Sequence, residues 1–233
     1  METAIYQIDA FADKPFEGNP AAVCPLESWL PDNVMQSIAE ENNLSETAFF
    51  VPKENGYHIR WFTPVSEVDL CGHATLASAY VLFEILGINT NYIEFSSRSG
   101  VLTVSKEKEC LLMNFPYQPP EIFETPKEMV NAFGKRPTEC LKSEDYLAVY
   151  ENEKDIIEIT PDFEELRKLD LRGIIITAKS QKYDFVVRFF APKYGVNEDP
   201  VTGSAYTQLM PYWSQKLNSK KLHARQVSKL GGE

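Results

Sequence analysis

The chain carries one pattern twice, and a repeat of this kind limits the folds open to it more than any other feature. Arg60-Trp61-Phe62-Thr63-Pro64 leads into Cys71-Gly72-His73-Ala74, and Arg188-Phe189-Phe190-Ala191-Pro192 leads into Thr202-Gly203-Ser204-Ala205. Each copy reads as a strand, a loop and a helix opened by glycine. The arginines lie 128 positions apart (188 − 60) and the glycines 131 (203 − 72), so the second loop holds three extra residues, around Gly195-Val196-Asn197-Glu198-Asp199. Every helix start offers unpaired backbone N–H groups and a partial positive charge, so two of them suggest a two-lobed site receptive to an anion. In a chain of 233 residues the repeat favours two modest domains over one large one.

Hydrophobic content of 43%, with 12% aromatic residues, is enough to build two cores and excludes a disordered chain. A net charge of −11 argues against nucleic-acid binding, which needs clustered Lys and Arg. The one basic cluster, from Lys216 to Arg225 with Lys220, Lys221 and His223, reads as the solvated end of a helix and the start of a strand. Met1-Glu2-Thr3-Ala4-Ile5-Tyr6 lacks a signal pattern and no segment reaches membrane-spanning length, so the expectation is a cytoplasmic protein with no membrane partner. Cys24, Cys71, Cys110 and Cys140 stand far apart without a CxxC pair, which fits neither a zinc site nor a disulfide framework. Most of them read as small core residues.

Tyr6 to Phe11 alternates as a half-buried strand, and Pro31-Asp32-Asn33 opens a helix with Val34, Met35, Ile38 and Ala39 on one face. Glu46 to Pro52 and Tyr57 to Thr63 read as paired strands around Asn55-Gly56. The stretch from Gly72 to Leu86 is apolar on nearly every side, so sheets are expected to enclose it. Tyr92 to Ser96, Val101 to Lys106 and Leu111 to Phe115 supply further strands, and Pro116-Tyr117-Gln118-Pro119-Pro120 reads as a linker. This divides the chain into an N-terminal lobe, 1–115, with a central helix at about 72–87, and a C-terminal lobe, 116–233, with a central helix at about 203–217. In the second lobe Tyr146 to Tyr150, Gly173 to Ala178 and Phe185 to Phe190 read as strands and Asp162 to Leu169 as a helix. Pro211 is expected to bend the second central helix.

Four positions carry candidate chemistry. Glu46 lies at the entry to an otherwise apolar strand, where it is either a desolvated general base or a strand-end charge facing water. His73, in the first turn of a buried helix, is expected to be neutral and to donate a hydrogen bond or relay a proton, against the plainer reading of a structural histidine. Asp199 precedes the second helix start, where capping is the default role and catalysis the alternative. Gly18-Asn19-Pro20 is a turn by default, with Asn19 as a possible ligand for a polar substrate group.

Taken together, Gly18-Asn19-Pro20-Ala21-Ala22-Val23, Asn43-Leu44-Ser45-Glu46-Thr47-Ala48-Phe49, Arg60-Trp61-Phe62-Thr63-Pro64, Asp69-Leu70-Cys71-Gly72-His73-Ala74-Thr75 and Glu198-Asp199-Pro200-Val201-Thr202-Gly203-Ser204-Ala205 resemble the phenazine-biosynthesis PhzF-like proteins. The resemblance runs from about Tyr6 to Glu233. It implies an α+β fold of the diaminopimelate epimerase type: two pseudo-symmetric lobes, each a barrel-like, mostly antiparallel sheet around a central helix, with the active site in the cleft between them. It also implies Glu46 as the catalytic acid/base, His73 and Asp199 as its polar partners, and Gly72, Gly203 and Ser204, with Asn19, as substrate-binding positions.

The activity so implied is a proton shift or isomerisation on a small carboxylated metabolite, without cofactor or metal, in a protein that is a homodimer in related cases. Related racemases and epimerases use two cysteines, one at each helix start. Here Cys71 fills the first position and Thr202 the second, and a threonine hydroxyl is too weak an acid to replace a thiol. An amino- or hydroxy-acid racemase using Cys71, and a non-catalytic ligand- or partner-binding member of the fold, are the alternatives. Leu230 stands where relatives commonly carry arginine, and family members usually continue past the position of Glu233, which leads to the expectation of an unpaired sheet edge in the second lobe.

Overall fold

The computed structural model describes residues 3–12, 14, 16–108 and 110–233. The chain divides into two compact units, Met1–Ala10 with Asn19–Phe115, and Phe11–Gly18 with Pro116–Glu233. Both mix helices with a curled sheet in which most neighbours are antiparallel.

The first unit holds β1 (Tyr6–Ala10), β2 (Asn19–Pro25), α1 (Asp32–Asn42), β3 (Glu46–Lys53), β4 (Gly56–Phe62), β5 (Glu67–Val68), α2 (Gly72–Tyr80), β6 (Tyr92–Ser97), β7 (Gly100–Glu107) and β8 (Cys110–Asn114). Its strand order is β1-β2-β3-β4-β6-β7-β8, with β5 beside β4. Helix α2 touches β1, β2 and β3 and also β8, so strands from both ends of the path reach the same helix and the sheet curls around it. The period of two sorts each strand between two cores. Ala21 and Val23 of β2 and Ala48 and Phe50 of β3 pack with Ala74, Ala77 and Leu82 of the central helix. Cys24 and Phe49, one position off, pack on the other face with Met35 and Ala39 of α1. This two-sided burial explains the nearly unbroken apolar runs, and each fully buried large side chain contributes roughly 1.5–3 kcal/mol.

The helix departs from full enclosure at its far end. It continues as five residues of π-helix, Val81–Ile85. Tyr80, Ile85 and Leu86 are exposed there, while Val81, Leu82 and Phe83 between them stay buried in the core. Gly56 closes the β3–β4 hairpin at φ +95°, and a side chain on it would stand 2.3 Å from the Glu94 carbonyl oxygen, so glycine is required on both counts.

The second unit holds β9 (Glu121–Ile122), α3 (Lys127–Phe133), β10 (Glu139–Lys142), β11 (Tyr146–Val149), α4 (Glu153–Glu158), α5 (Phe163–Leu166), β12 (Ile174–Lys179), β13 (Phe185–Ala191), β14 (Val196–Asp199), α6 (Tyr206–Leu217) and β15 (Ala224–Gln226). The order is β14-β13-β12-β11-β10-β9, with β15 parallel to β13. The same alternation recurs. Ile175, Phe185 and Val187 face Leu209, Tyr212 and Trp213 of α6. Ile174, Ile176, Val186 and Phe190 face Met129, Phe133, Ile156 and Leu166 of the three short helices. A turn of 3-10 helix, Gly203–Ala205, leads into α6, which runs on through Pro211 to Leu217.

The repeated motif folds as a repeated clasp. Arg60 of β4 donates through Nε and Nη2 to the Glu67 carboxylate on β5, at 2.7 and 2.8 Å. Arg188 of β13 does the same to Glu198 on β14, at 2.6 and 2.9 Å. Each guanidinium also lies over the aromatic ring two positions on, 5.1 Å from the Phe62 centroid and 5.0 Å from that of Phe190. The longer second loop is taken up by a 3-10 turn, Pro192–Tyr194, closed by Gly195 at φ +80°.

Three local expectations are corrected. Only Gly18, at φ +84°, is turn-like, whereas Asn19 and Pro20 begin β2, with Pro20 opposite Asp9 at the start of the strand where proline is tolerated. The helix expected over 162–169 is α5 alone, with Asp162 as the cap that accepts from the N–H groups of Glu164 and Glu165. Helices α3 and α4 lie where no regular element is apparent from the sequence. Among the described residues, no helix is long and apolar enough to cross a membrane. The basic cluster ends α6 and begins β15, with Lys216 paired to Glu139 and Arg225 to Glu233.

Candidate active site

In the first unit, strand register brings the polar candidates to the central helix. Glu46 shares its face of β3 with Ala48 and Phe50, and Asn19 shares its face of β2 with Ala21 and Val23, so both point to the side where α2 packs. Helix α2 begins at Gly72 after an extended Cys71, whose carbonyl accepts from the Thr75 hydroxyl at 2.6 Å. His73, in the first turn, is only 4% exposed. Its Nε2 stands 3.4 Å from Glu46 Oε2, and its Nδ1 stands 3.4 Å from Asn19 Nδ2 and 3.5 Å from Cys71 Sγ.

These contacts bear on which ring nitrogen carries the proton. An amide nitrogen only donates, so with Asn19 Nδ2 toward the ring Nδ1 accepts and the hydrogen sits on Nε2, on the Glu46 side but without the alignment of a hydrogen bond. Burial pushes the imidazole down to about 3, which keeps it neutral. The pair is therefore a neutral imidazole facing a carboxylate and not an ion pair, and at 3.4 Å the contact is longer than a good hydrogen bond. Glu46 is turned toward this ring with its side chain 17% exposed, which overturns the reading of a strand-end charge facing water.

Glu46, Cys71 and His73 each offer one ligand atom within 4.8 Å of the others, as a metal site would. Cys71 meets Nδ1 and Glu46 meets Nε2, on opposite sides of the ring, so one ion could not use both close contacts.

In the second unit, Asp199 ends β14 and is held by a network. Thr202 Oγ1 donates to Asp199 Oδ2 at 2.5 Å. Gln226, fully buried, accepts from the Thr202 N–H at 2.8 Å and donates to the Asp199 carbonyl at 2.6 Å and to Thr202 Oγ1 at 3.2 Å. The N–H before the helix start is thus taken by Gln226, not by Asp199 as a simple cap. Ser228 Oγ donates to the Pro200 carbonyl at 2.7 Å, and Gln226 bridges to Gly232, so the C-terminal residues brace this loop. Gly203 and Ser204 follow in the 3-10 turn. Ser204 Oγ lies 3.1 Å from Arg172 Nη2, and Arg172 is paired with the fully buried Asp145 at 2.9 and 2.5 Å.

Asn19, Glu46, Gly72 and His73 thus belong to one unit, and Asp199, Gly203 and Ser204 to the other. Sequence reasoning missed Gln226, Asp145 and Arg172. Their partners lie 24 or more positions away in the chain, and no local pattern marks them.

The comparisons with known proteins bear on the fold and the family. The chain is 54% identical over 226 residues to an uncharacterized isomerase of Pseudomonas aeruginosa, covering 97% of this chain and 87% of that protein. It is similar to the crystal structure of a PhzF-family phenazine biosynthesis protein of Enterococcus faecalis, with a TM-score of 0.94 and 49% identity over 100% of this chain and 90% of that one. A probable proline racemase of Agrobacterium radiobacter shares the fold alone, with a TM-score of 0.62 and 8% identity over 94% of this chain and 78% of that one. The names of the full-length relatives place the chain among isomerases. The family profile described as "Phenazine biosynthesis-like protein" matches residues 8–232, and on these matches the chain belongs to the PhzC-PhzF family.

Proposed function

We propose that this isomerase moves a proton on a small carboxylated metabolite, with Glu46 as the single acid/base. The carboxylate lifts a proton from carbon and returns it elsewhere on the substrate, beside the neutral His73 ring. Loss of a carbon-bound proton leaves an enolate-like anion, which needs hydrogen-bond donors placed where the charge develops. The helix-start groups Gly72, Gly203 and Ser204, with Asn19 and Asp199, serve as the substrate-binding and polar partners in this reading.

The observation that carries it is the placement of the half-buried Glu46 carboxylate 3.4 Å from the buried, neutral His73 ring at the start of the central helix. A one-base mechanism is also supported by Thr202, whose hydroxyl stands where a second thiol would be and is donated to Asp199. The racemase reading keeps one observation in its favour, the Cys71 thiol 3.5 Å from the His73 ring.

The test is solvent-deuterium incorporation into a panel of small carboxylic acids. Glu46→Gln is expected to abolish exchange while binding persists, and Cys71→Ser to retain most of it. Exchange undiminished in Glu46→Gln ends the assignment. A collapse in Cys71→Ser, with inversion at the α-carbon in the parent protein, favours the racemase. Shifts in melting temperature without any exchange would mark a binding protein.

A further inference from the structure

Ser204 is held by a part-buried ion pair that the proposed mechanism does not use. Asp145 is fully buried and accepts from Arg172 Nε at 2.9 Å and Nη2 at 2.5 Å, and from Gln208 Nε2 at 3.1 Å. Arg172 Nη2 then reaches Ser204 Oγ at 3.1 Å. The guanidinium is packed over Phe189, 5.5 Å from its centroid. Gly173 gives that ring room, because a side chain there would stand 2.3 Å from Phe189 Cζ and 3.0 Å from Asp145 Oδ1.

We propose that Arg172, locked by Asp145, is a positioning residue that makes the Ser204 hydroxyl an obligate hydrogen-bond donor to a carboxylate ligand. A guanidinium has five donors and no acceptor, so Ser204 Oγ accepts from it and must send its own hydrogen elsewhere. Among the described residues no acceptor takes that hydrogen. A carboxylate offers only acceptors there, whereas a primary amide offers one weaker acceptor oxygen and one donor, so the neutral analogue is held less well, which is specificity by polarity and not by size. The inference rests on the reading above in one respect, that Ser204 lies against the substrate.

The experiment is a double-mutant cycle read by calorimetric titration with malonate, with malonamide as the neutral control. The wild type is expected to bind malonate and discriminate against malonamide. Arg172→Lys keeps the charge but loses the fork that spans Asp145 and Ser204. It should weaken malonate roughly tenfold, as expected for a charge-assisted contact. In a Ser204→Ala background the same change should weaken binding by less than about twofold, since the two residues act as one unit. Equal losses in both backgrounds, no loss in either, or equal binding of malonate and malonamide would overturn the proposal. If Arg172→Lys does not fold by near-ultraviolet circular dichroism, Asp145→Asn takes its place in the cycle, with the same outcomes. Binding is read without turnover, so absent deuterium exchange with an intact cycle sinks the mechanism alone, and a flat cycle with normal exchange sinks this inference alone.

Discussion

Acidification should cost the first unit about 2 kcal/mol between pH 7 and pH 5 through His73 alone. In the unfolded chain this imidazole takes up a proton near its ordinary value of about 6.5. In the folded protein burial holds it down at about 3, so folding must exclude the proton over that interval. The folded value is depressed, so the stability it contributes is present above pH 6.5 and lost as pH falls toward 3. At pH 5 the gap of 1.5 pH units below the unfolded value corresponds to about 2 kcal/mol, since each unit is worth about 1.4 kcal/mol. Urea unfolding followed by tryptophan fluorescence at pH 7, 6 and 5, compared with His73→Gln, isolates the effect. The wild type should lose about 2 kcal/mol more than the variant over this range. Parallel losses would refute the reasoning, because they would mean that the Glu46 carboxylate 3.4 Å away stabilises the imidazolium enough to cancel its desolvation.

Other perturbations test the braces around the site. Arg188→Met removes the partner of Glu198 and the donor to the carbonyls of Ile156 and Ile159, at 2.9 and 2.7 Å, and should cost about 3–5 kcal/mol in urea unfolding. Arg60→Met should cost less, since its additional partner Asp32 is exposed. Gln226→Leu strands the Thr202 N–H and the Asp199 carbonyl in a buried setting, with an expected loss of roughly 2–4 kcal/mol by the same assay. A thiol reagent at pH 8 should modify the exposed Cys110 first, while Cys24 and Cys140, whose thiols burial pushes up to about 12 and about 11, react only on unfolding. Mass spectrometry of the labelled peptides reads this directly.

The parts of the fold that were legible are those whose physics is local. The apolar stretch after Gly72 and the strands at 46–53, 56–62 and 185–191 announce themselves by composition and period, and the structure places them within a residue or two. Asn19-Pro20 did not, because a proline after a polar residue looks like turn chemistry even where antiparallel pairing with β1 makes it a strand. Helices α3 and α4 are only seven and six residues long, too short for a period to stand out, and tertiary packing on the sheet decides them. Glu46, His73 and Asp199 could be singled out as oddly placed polar residues. What turns Glu46 inward and brings Asn19 to the His73 ring is the pairing of β2 with β3 and the packing of both on α2, which a linear reading of the chain does not contain.

The two guanidinium clasps carry a lesson about spacing. Seven positions separate the partners in one copy and ten in the other, yet the closed forks differ by about a tenth of an ångström. The ruler is the charged bridge itself, and the intervening backbone is slack to be coiled away. A segment grafted between such anchors can therefore vary in length so long as a tight turn absorbs the surplus, which marks 192–195 as the place to insert foreign sequence without disturbing either anchor.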